Sequence, residues 1–433
     1  KGMVVLGSLR TRQDITILEG LVGADKLNTG GPNDPVRAAL ARLRQLGAHE
    51  VGHTLGFAHN FAASTQDRAS VMDYPAPRIG LVDGKPDLSD AYGVGLGKWD
   101  MATLDWLYGA PDEAVANAKA RADVAAGLRY VEDENARAPD TGQRWASLWD
   151  DGADPTAELG RMMIVRSAAI ANFGRDMLAP NEPRANLRRR FVPVWLLHRY
   201  EVVAAAKAVG GGEFTYAVNG DGREQSLPVP ADAQRAALSA LLATLSPETL
   251  RVPARLVPLL SAPRNGSDNR QFDIEVFATE RGPIFDPLVA ADVGAEITLN
   301  SLLAPARLAR VSAQHAVDAN MLSVSEILDR LWSTVRPQTG EALEHRIAYR
   351  TIAMMAATAQ DKATTPEVAA LLDQKLHDIG EQLSGGDAWA ASLSRKLLDL
   401  RERAQLAKDL PRSAPIPPAD PIGGGEDDWM DLP

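Results

Sequence analysis

The segment HEVGHTLGFAH at positions 49–59 constrains this chain more than any other. It has the pattern H-E-x-x-H-x-x-G-x-x-H. Histidines at i and i+4 lie one above the other on an α-helix, so His49 and His53 can reach the same ion. Gly56 favours the left-handed conformation that ends a helix, and the turn can bring His59 back as a third ligand. The segment therefore predicts a helix, a sharp turn and a metal site.

Three imidazoles leave one coordination position open, which is typical of catalytic zinc, whereas structural zinc usually has four protein ligands. Glu50 lies one step around the helix from His49, where it can act as a general base. The chain contains 7 histidines in 433 residues, so a coincidental spacing of three is the weaker alternative. We expect the others to be ordinary structural or surface residues: His198, His315, His345 and His377. Thiolate ligands and disulfides are excluded, because the sequence has no cysteine.

The helix that carries the motif is predicted to begin at Asp34 and Pro35, with the aspartate as N-cap and the proline in the first turn. One apolar stripe along this helix is expected to pack against the protein: Val36, Leu40, Leu43 and Val51. The imidazoles are expected on the opposite face. Gly47 and Gly52 each cost the helix about 1 kcal/mol relative to alanine, so we expect close packing or function to explain them.

A second segment, SVMDY at residues 70–74, follows the histidine motif. The two segments together resemble the metzincin clan of metallopeptidases. In that clan a methionine-containing turn underlies the ligands, which implies this position for Met72; ordinary core packing is the alternative. In some branches the tyrosine two residues later approaches the metal or the transition state. The resemblance therefore implies a catalytic role for Tyr74, with a core or surface aromatic as the alternative.

A narrower resemblance rests on four segments: KGMVVLGSLRTRQD, HEVGHTLGFAHNFAAS, SVMDYPAPR and DGADPTAELGR. Together they resemble a family of large bacterial zinc-dependent metalloproteases, in which a metzincin-like domain precedes a long helical region. The resemblance implies Zn²⁺ as cofactor, a peptide or protein substrate, and a periplasmic, cell-envelope or extracellular location. Asn60 departs from the better-known metzincin branches, which have other characteristic residues after the third histidine.

Ala- and Leu-rich helical patterns dominate after residue 110. They cover 112–126, 155–180, 191–208, 231–245, 296–315, 324–335, 340–360, 366–383 and 387–408. One small β-hairpin is predicted where residues 214–218 and 223–229 flank Asn-Gly-Asp-Gly. We therefore expect a mainly α, multidomain chain. Its predicted parts are a metzincin-like catalytic module at 1–110, helical domains of unknown role at 111–409, and a flexible acidic Pro/Gly-rich tail at 410–433.

Metzincins normally place a mixed β-sheet before the active-site helix, but only residues 1–33 precede it here. Residues 3–10 are expected to form a short strand. Three alternatives follow for the rest of the sheet, which forms a wall of the cleft. It is absent, it is replaced by part of the helical region, or it belongs to an upstream segment of the same protein, which would be a partner of this chain.

The net charge of −11 argues against a nucleic-acid or anionic-membrane binder. The basic cluster formed by Arg184 and residues 188–190 is expected to be a solvated helix face, with contact to nucleic acid as the weaker alternative. No apolar run approaches the roughly 20 residues of a transmembrane helix.

The sequence does not fix which groups accept the other N–H of each histidine. Asp73 and Asp100 are candidates that could equally be cap or turn residues. Residues 97–109 are predicted to form a helix that packs four apolar side chains behind the site: Trp99, Leu104, Trp106 and Leu107. A substrate-binding role for these aromatics is the alternative.

The leading functional hypothesis is a zinc metalloendopeptidase in which Glu50 activates the attacking water. The alternative is a zinc-binding, non-hydrolytic scaffold or partner-binding fragment of a larger envelope protein. Glu50 favours the enzyme, because a structural zinc site has no use for a base beside its ligand. Hydrolysis of a bond other than a peptide bond is a third hypothesis, since zinc and a carboxylate do not specify an amide.

Overall fold

An Asp-Pro pair begins three long helices of this protein. The carboxylates of Asp34, Asp154 and Asp286 each accept a hydrogen bond from the backbone N–H two residues later. The proline between them takes the first helical position, where its missing N–H costs nothing. The predicted start of the motif helix at Asp34 is confirmed.

The structure is a computed structural model that describes residues 8–223, 226–263, 277 and 283–408. Its helices are α1 (Ser8–Val22), α2 (Pro35–Thr54), α3 (Lys98–Tyr108), α4 (Glu113–Ala125), α5 (Asp133–Ala136), α6 (Pro155–Asn172), α7 (Leu187–Trp195), α8 (Arg199–Ala206), α9 (Ala231–Ala243), α10 (Pro247–Leu250), α11 (Leu256–Leu260), α12 (Pro287–Leu302), α13 (Pro305–Val317), α14 (Val324–Val335), α15 (Ala342–Gln360), α16 (Pro366–Leu383), α17 (Ala388–Leu398) and α18 (Leu400–Lys408). The mainly α fold is confirmed.

Four short strands form two antiparallel hairpins among the described residues: β1 (Gly80–Val82), β2 (Lys85–Asp87), β3 (Gly212–Phe214) and β4 (Ser226–Pro228). In the first hairpin Leu81 pairs with Pro86, and in the second Glu213 pairs with Leu227. The second hairpin was predicted, but its strands lie further from the turn than expected. The Asp221 carboxylate accepts hydrogen bonds from the N–H groups of Val218 and Arg223, so local bonds replace the strand ladder there.

Three predicted helices are each divided between two observed ones. The pattern at 191–208 falls on α7 and α8, and the other two are split by residues that start a new helix. The pattern at 296–315 becomes α12 and α13, because Pro305 occupies the first position of α13. The pattern at 387–408 becomes α17 and α18, because the Asp399 carboxylate accepts hydrogen bonds from the N–H groups of Arg401 and Glu402.

The packed face of α2 agrees only in part with the predicted one, since Leu43 packs against a buried cluster and Val36 is half-buried. Leu40 and Val51, members of the expected apolar stripe, are 45% and 53% exposed. The buried residues of α2 instead include those on the side of the first histidine of the motif: Pro35, Ala38, Ala39, Arg42, Leu46, His49 and Gly52. The prediction was wrong for Leu40, for Val51 and for the face of His49, because the chain after α2 packs over that imidazole, where the Val71 carbonyl contacts His49 Nδ1.

Two further predictions, the strand at 3–10 and the solvated face of arginines, are corrected by the structure around α1. The predicted strand at 3–10 is wrong for residues 8–10, which are helical, and residues 3–7 lie outside the described part. Near the other end of α1, the Glu19 carboxylate lies 2.7 Å from the Arg190 guanidinium on α7. Arg188, also on α7, is buried and donates to the Leu260 and Pro283 carbonyls. These arginines therefore join helices and do not form a solvated face.

The largest buried apolar cluster contains side chains from both sides of residue 110, from Leu18 and Ala38 to Leu406. Within it α12 packs against α15, and α16 against α17. The predicted boundary at residue 110 stays a prediction, and the predicted tail at 410–433 lies outside the described residues. No helix in the described part of the chain has both the length and the apolarity needed to span a bilayer.

Candidate metal centre

The three histidines of the motif meet at one point. The Nε2 atom of His53 lies 3.0 Å from Nε2 of His49 and 3.1 Å from Nε2 of His59. His49 and His53 lie one turn apart on α2, and His59 follows the turn after the helix. Within the described part of the chain, these three histidines are close enough together to hold one metal ion, and no cysteine or acidic residue joins the group.

The turn between His53 and His59 has the left-handed backbone conformation that was predicted at Gly56. Gly56 has φ +89°, a left-handed conformation that resists other side chains. The Phe57 N–H donates to the Gly52 carbonyl, and the Gly56 N–H donates to the His53 carbonyl. These bonds close the helix end and direct the chain back toward the imidazoles.

The Nδ1 atom of each imidazole has its own protein partner. His49 Nδ1 lies 2.8 Å from the Val71 carbonyl oxygen, and His53 Nδ1 lies 2.9 Å from the Phe57 carbonyl oxygen. His59 Nδ1 lies 2.9 Å from both carboxylate oxygens of Asp133. Carbonyl and carboxylate oxygens only accept hydrogen bonds, so Nδ1 must carry the proton in every ring. Each Nε2 then presents a lone pair to the common point, as a metal ligand must.

Burial keeps the imidazoles in the form that binds a metal. Removal from water lowers the pKa of His49 to about 3, against the opposing effect of the Val71 carbonyl. Burial also lowers the pKa of His59, although the hydrogen bond to Asp133 acts in the other direction. Both rings are therefore neutral at neutral pH, and metal binding needs no prior loss of a proton from them.

Asp133 is a site residue that the sequence did not reveal. It lies 74 positions after His59 and is the first residue of α5. Burial alone would raise the pKa of Asp133, but hydrogen bonds from Arg137 and His59 lower it below its ordinary value. The carboxylate is therefore charged at neutral pH, and it orients the His59 ring.

The two aspartates that the sequence offered as hydrogen-bond partners of the histidines contact backbone N–H groups and, for Asp100, a serine hydroxyl, but no imidazole. The Asp100 carboxylate accepts hydrogen bonds from Ser70 Oγ at 2.5 Å and from the Val71 N–H at 2.9 Å. Asp73 accepts from the N–H groups of Ser64 and Tyr74. Asp100 nevertheless acts on the site indirectly through Val71. Asp100 accepts a hydrogen bond from the Val71 N–H, and the Val71 carbonyl contacts His49.

Met72 lies directly beneath α2. It is fully buried, and a Cβ atom built on Gly52 would lie 2.3 Å from its Sδ atom. Its carbonyl accepts a hydrogen bond from the Asn60 N–H, next to the third histidine. Close packing therefore explains Gly52, as expected. It does not explain Gly47, where an added Cβ would meet nothing within 4 Å.

A Met-zincin family model matches residues 31–342. The chain belongs to the Met-zincin family. The matched range contains the three histidines, the turn of Met72 and also Asp133. No curated protein and no solved structure matches the chain. The resemblance to metzincins drawn from two short segments is thereby confirmed for most of the sequence.

The donor set of this Met-zincin fits zinc. Three neutral imidazole nitrogens converge, their orientation is fixed by Nδ1 hydrogen bonds, and the set leaves room for a further ligand. A filled structural site would need a fourth protein donor, and the described residues bring no other histidine or carboxylate into the group.

Glu50 and Tyr74 lie at different depths around the imidazoles of the Met-zincin site. Glu50 follows His49 on α2 and is partly exposed. Tyr74 is 1% exposed, and its ring centroid lies 4.6 Å from that of His49 and 5.2 Å from that of His59. The structure thus packs the tyrosine ring against two of the histidines. Glu50 as the catalytic base stays a prediction.

The predicted helix at 97–109 is confirmed as α3, but only part of it packs behind the Met-zincin site. Trp99 and Leu104 pack against the small cluster around Met72. Trp106 and Leu107 instead line an open cavity, and Leu107 is 40% exposed. The single histidines elsewhere do not join the metal group: His315 contacts the Met321 carbonyl oxygen, for example.

Proposed function

We propose that this protein is a zinc-dependent endopeptidase whose ligands are His49, His53 and His59. The observation that carries the proposal is the convergence of the three Nε2 atoms, with neighbouring pairs 3.0 and 3.1 Å apart. Three ring nitrogens with an accessible side are the donor set of catalytic zinc. Membership of the Met-zincin family supports the same conclusion.

Glu50 is the general base of the proposed reaction. A zinc ion held by the imidazoles supplies a Lewis acid that polarises a carbonyl and makes water more acidic. The Glu50 carboxylate accepts a proton from the attacking water and returns it to the nitrogen of the leaving amine. Its place beside His49 and its partial exposure support this role, because a base must reach both the site and the substrate.

The chain's remaining contributions are orientation and support. The Val71 and Phe57 carbonyls and the Asp133 carboxylate fix the three rings. Because these acceptors are already in place, the rings lose little freedom when they bind an ion.

Tyr74 is proposed as a donor that stabilises the oxyanion formed during attack. Its nearness to His49 and His59 supports this role, while its burial equally suits a packing role. Tyr74→Phe separates the two, because it keeps the ring and removes the hydroxyl. An oxyanion donor predicts lower kcat with zinc retained; unchanged kcat would assign Tyr74 to packing alone.

The test of the proposed function compares wild type with Glu50→Gln on a mixture of unstructured peptides. The variant should keep its zinc and lose about 10²–10⁴-fold in turnover, which is the usual contribution of a general base. Glu134→Gln is the matched control, since Glu134 is exposed on α5 and should behave as wild type. Equal turnover by wild type and Glu50→Gln would refute the assignment. Parallel assays with esters and a polysaccharide test the bond type.

A further inference from the structure

A surface groove of about 520 Å³ lies outside the metal centre. Among the described residues, none that holds or orients the three histidines lines it. One wall comes from the segment 175–185, between α6 and α7, and from Leu187 at the start of α7. The other wall comes from residues 258–263, at the end of α11 and just after it. The groove is therefore a candidate binding site separate from the proposed peptidase site.

Both walls of the groove are mainly apolar. The described lining contains three leucines and three prolines: Leu178, Leu187, Leu259, Pro180, Pro258 and Pro263. The Ser261 hydroxyl, also in the lining, donates to the Val257 carbonyl and accepts from the Phe285 N–H, so its hydrogen bonds are made within the protein. Pro180 and Pro258 are exposed to solvent. Apolar surface that stays open to solvent in a concave site favours a ligand with apolar groups.

Two arginines give the groove its charge. Arg175 and Arg184 line it, both are exposed, and within the described part of the chain neither side chain has a hydrogen-bond or ion-pair partner. The acidic residue of the lining, Glu182, is already paired, since its carboxylate lies 2.9 Å from the Arg190 guanidinium. The groove is therefore positively charged, although the net charge of the whole chain is −11. Such a site favours a ligand that combines carboxylates with apolar groups.

The chain itself contains a segment of that chemistry. Residues 426–432, with the sequence EDDWMDL, combine four carboxylates with one tryptophan, one methionine and one leucine. Arginine forms charge-assisted, bidentate hydrogen bonds with a carboxylate. The large apolar side chains gain free energy when they leave water. The segment lies outside the described residues, and its composition and charge complement those of the groove.

The last described helix brings the chain close enough for this segment to reach the groove. Helix α18 ends at Lys408 and packs against α15. Helix α15 also contacts α10, which directly precedes α11 and the wall at 258–263. The chain from Lys408 to Glu426 covers up to roughly 60 Å when extended, at about 3.3 Å per residue. A compact protein of this length has a radius of gyration of about 22 Å, so the linker is long enough for docking within one molecule.

We propose that residues 426–432 dock in this groove, with their carboxylates against Arg175 and Arg184 and their apolar side chains against its prolines and leucines. The docking needs neither zinc nor turnover, so it is independent of the proposed peptidase function. It also assigns a partner to the two arginines of the groove. High ionic strength weakens the docking, because salt at 0.1 M screens exposed charges beyond about 10 Å.

Disulfide crosslinking in the full chain tests this contact, because the sequence has no cysteine that could interfere. Ala179→Cys, at an exposed position in the lining of the groove, is combined with Met430→Cys in the segment. Under mild oxidation this pair should crosslink within one molecule at least about 10-fold faster than a control pair, because docking raises the effective concentration. The control combines Met430→Cys with Ala118→Cys, which is exposed on α4 and does not line the groove.

Charge variants of the crosslinking protein test the recognition itself. Arg175→Glu together with Arg184→Glu should slow the crosslink about 10-fold, because like charges then face each other. Arg37→Glu together with Arg121→Glu changes the net charge equally at exposed positions outside the groove and should have little effect. An added peptide with the sequence of residues 424–433 should compete and slow the crosslink, whereas the same peptide with Asn and Gln in place of its acids should not. Equal rates for the two cysteine pairs, equal rates for the two arginine variants, or crosslinks formed only between molecules would overturn the inference.

Discussion

Gly52 and Met72 fit together only because residue 52 has no side chain. A Cβ atom at that position would lie 2.3 Å from the Met72 Sδ atom, and Met72 is fully buried and cannot swing into solvent. The glycine weakens the helix by about 1 kcal/mol in propensity, but it allows the methionine turn to lie directly under the two helical histidines.

Gly52→Ala is therefore predicted to displace the turn of Met72. Because the Val71 carbonyl next to it orients His49, we expect weaker zinc affinity as well as a loss of stability of about 1–3 kcal/mol, as for an overpacked core. Gly47→Ala is the control on the same helix, where an added Cβ meets nothing within 4 Å. It should stabilise the protein slightly. Chemical denaturation and zinc titration measure both, and equal behaviour of the two variants would contradict the packing explanation.

Asp133→Asn is predicted to weaken zinc binding by about 10–100-fold, the usual effect of losing the partner of a metal-binding histidine. The amide keeps the shape but removes the charge that receives the His59 N–H. Glu134→Gln removes a neighbouring exposed charge and should leave the affinity unchanged. Competition with a fluorescent zinc chelator gives both values. Wild-type affinity in Asp133→Asn would show that Asp133 does not support the third ligand.

Asp100→Ala is predicted to destabilise the protein by about 2–3 kcal/mol, since it removes a buried charged acceptor of several hydrogen bonds. Among the donors that would be left are Ser70 Oγ and the N–H groups of Val71 and Gly97. Asp105→Ala, on the exposed side of the same helix, loses an ion pair with Lys119 and should cost less than about 1 kcal/mol. The comparison uses denaturant unfolding of metal-free protein, and similar losses in both variants would argue against a special role for Asp100.

His198 is predicted to make the protein less stable as the pH falls below 6.5. It is fully buried, neither ring nitrogen reaches a hydrogen-bond partner among the described residues, and burial lowers its pKa well below 6.5. The unfolded chain then binds a proton below pH 6.5 that the folded protein does not. The free energy of unfolding therefore decreases by up to about 1.4 kcal/mol per pH unit from this group.

His198→Leu should remove that contribution, so its unfolding free energy should fall less steeply between pH 6.5 and pH 5 than that of wild type. His377→Ala, at an exposed position, serves as the control. Parallel pH curves for wild type and His198→Leu would show that His198 is protonated in the folded protein.

The local part of the site was predictable from the sequence, because helix periodicity and a glycine turn fix how His49, His53 and His59 are spaced. The position of Met72 followed from a resemblance to a known clan. Asp133 was not predictable, since its contact with His59 joins residues 74 positions apart and depends on how the later chain folds back. Nothing in the local sequence distinguishes it from other aspartates.

The wrong prediction for α2 has a physical cause of the same kind. Apolarity alone favoured the stripe containing Leu40 and Val51, but burial of His49 is sustained by a hydrogen bond to Val71, far along the chain. The burial of Arg188 and Arg190 was not predictable for the same reason, because buried arginines need carbonyl and carboxylate partners from distant helices. Tertiary hydrogen bonds that stabilise polar groups in the interior are not visible in a local pattern.

The most direct test of a zinc site built on three histidines is the metal content of the purified, zinc-loaded chain. Elemental analysis should give about one zinc per chain, as for a single three-histidine site. His53→Ala should lose it, and His377→Ala, with an exposed histidine outside the group, should keep it. No zinc in wild type after loading, or equal zinc in wild type and His53→Ala, would contradict the assignment of the metal centre and the peptidase mechanism built on it.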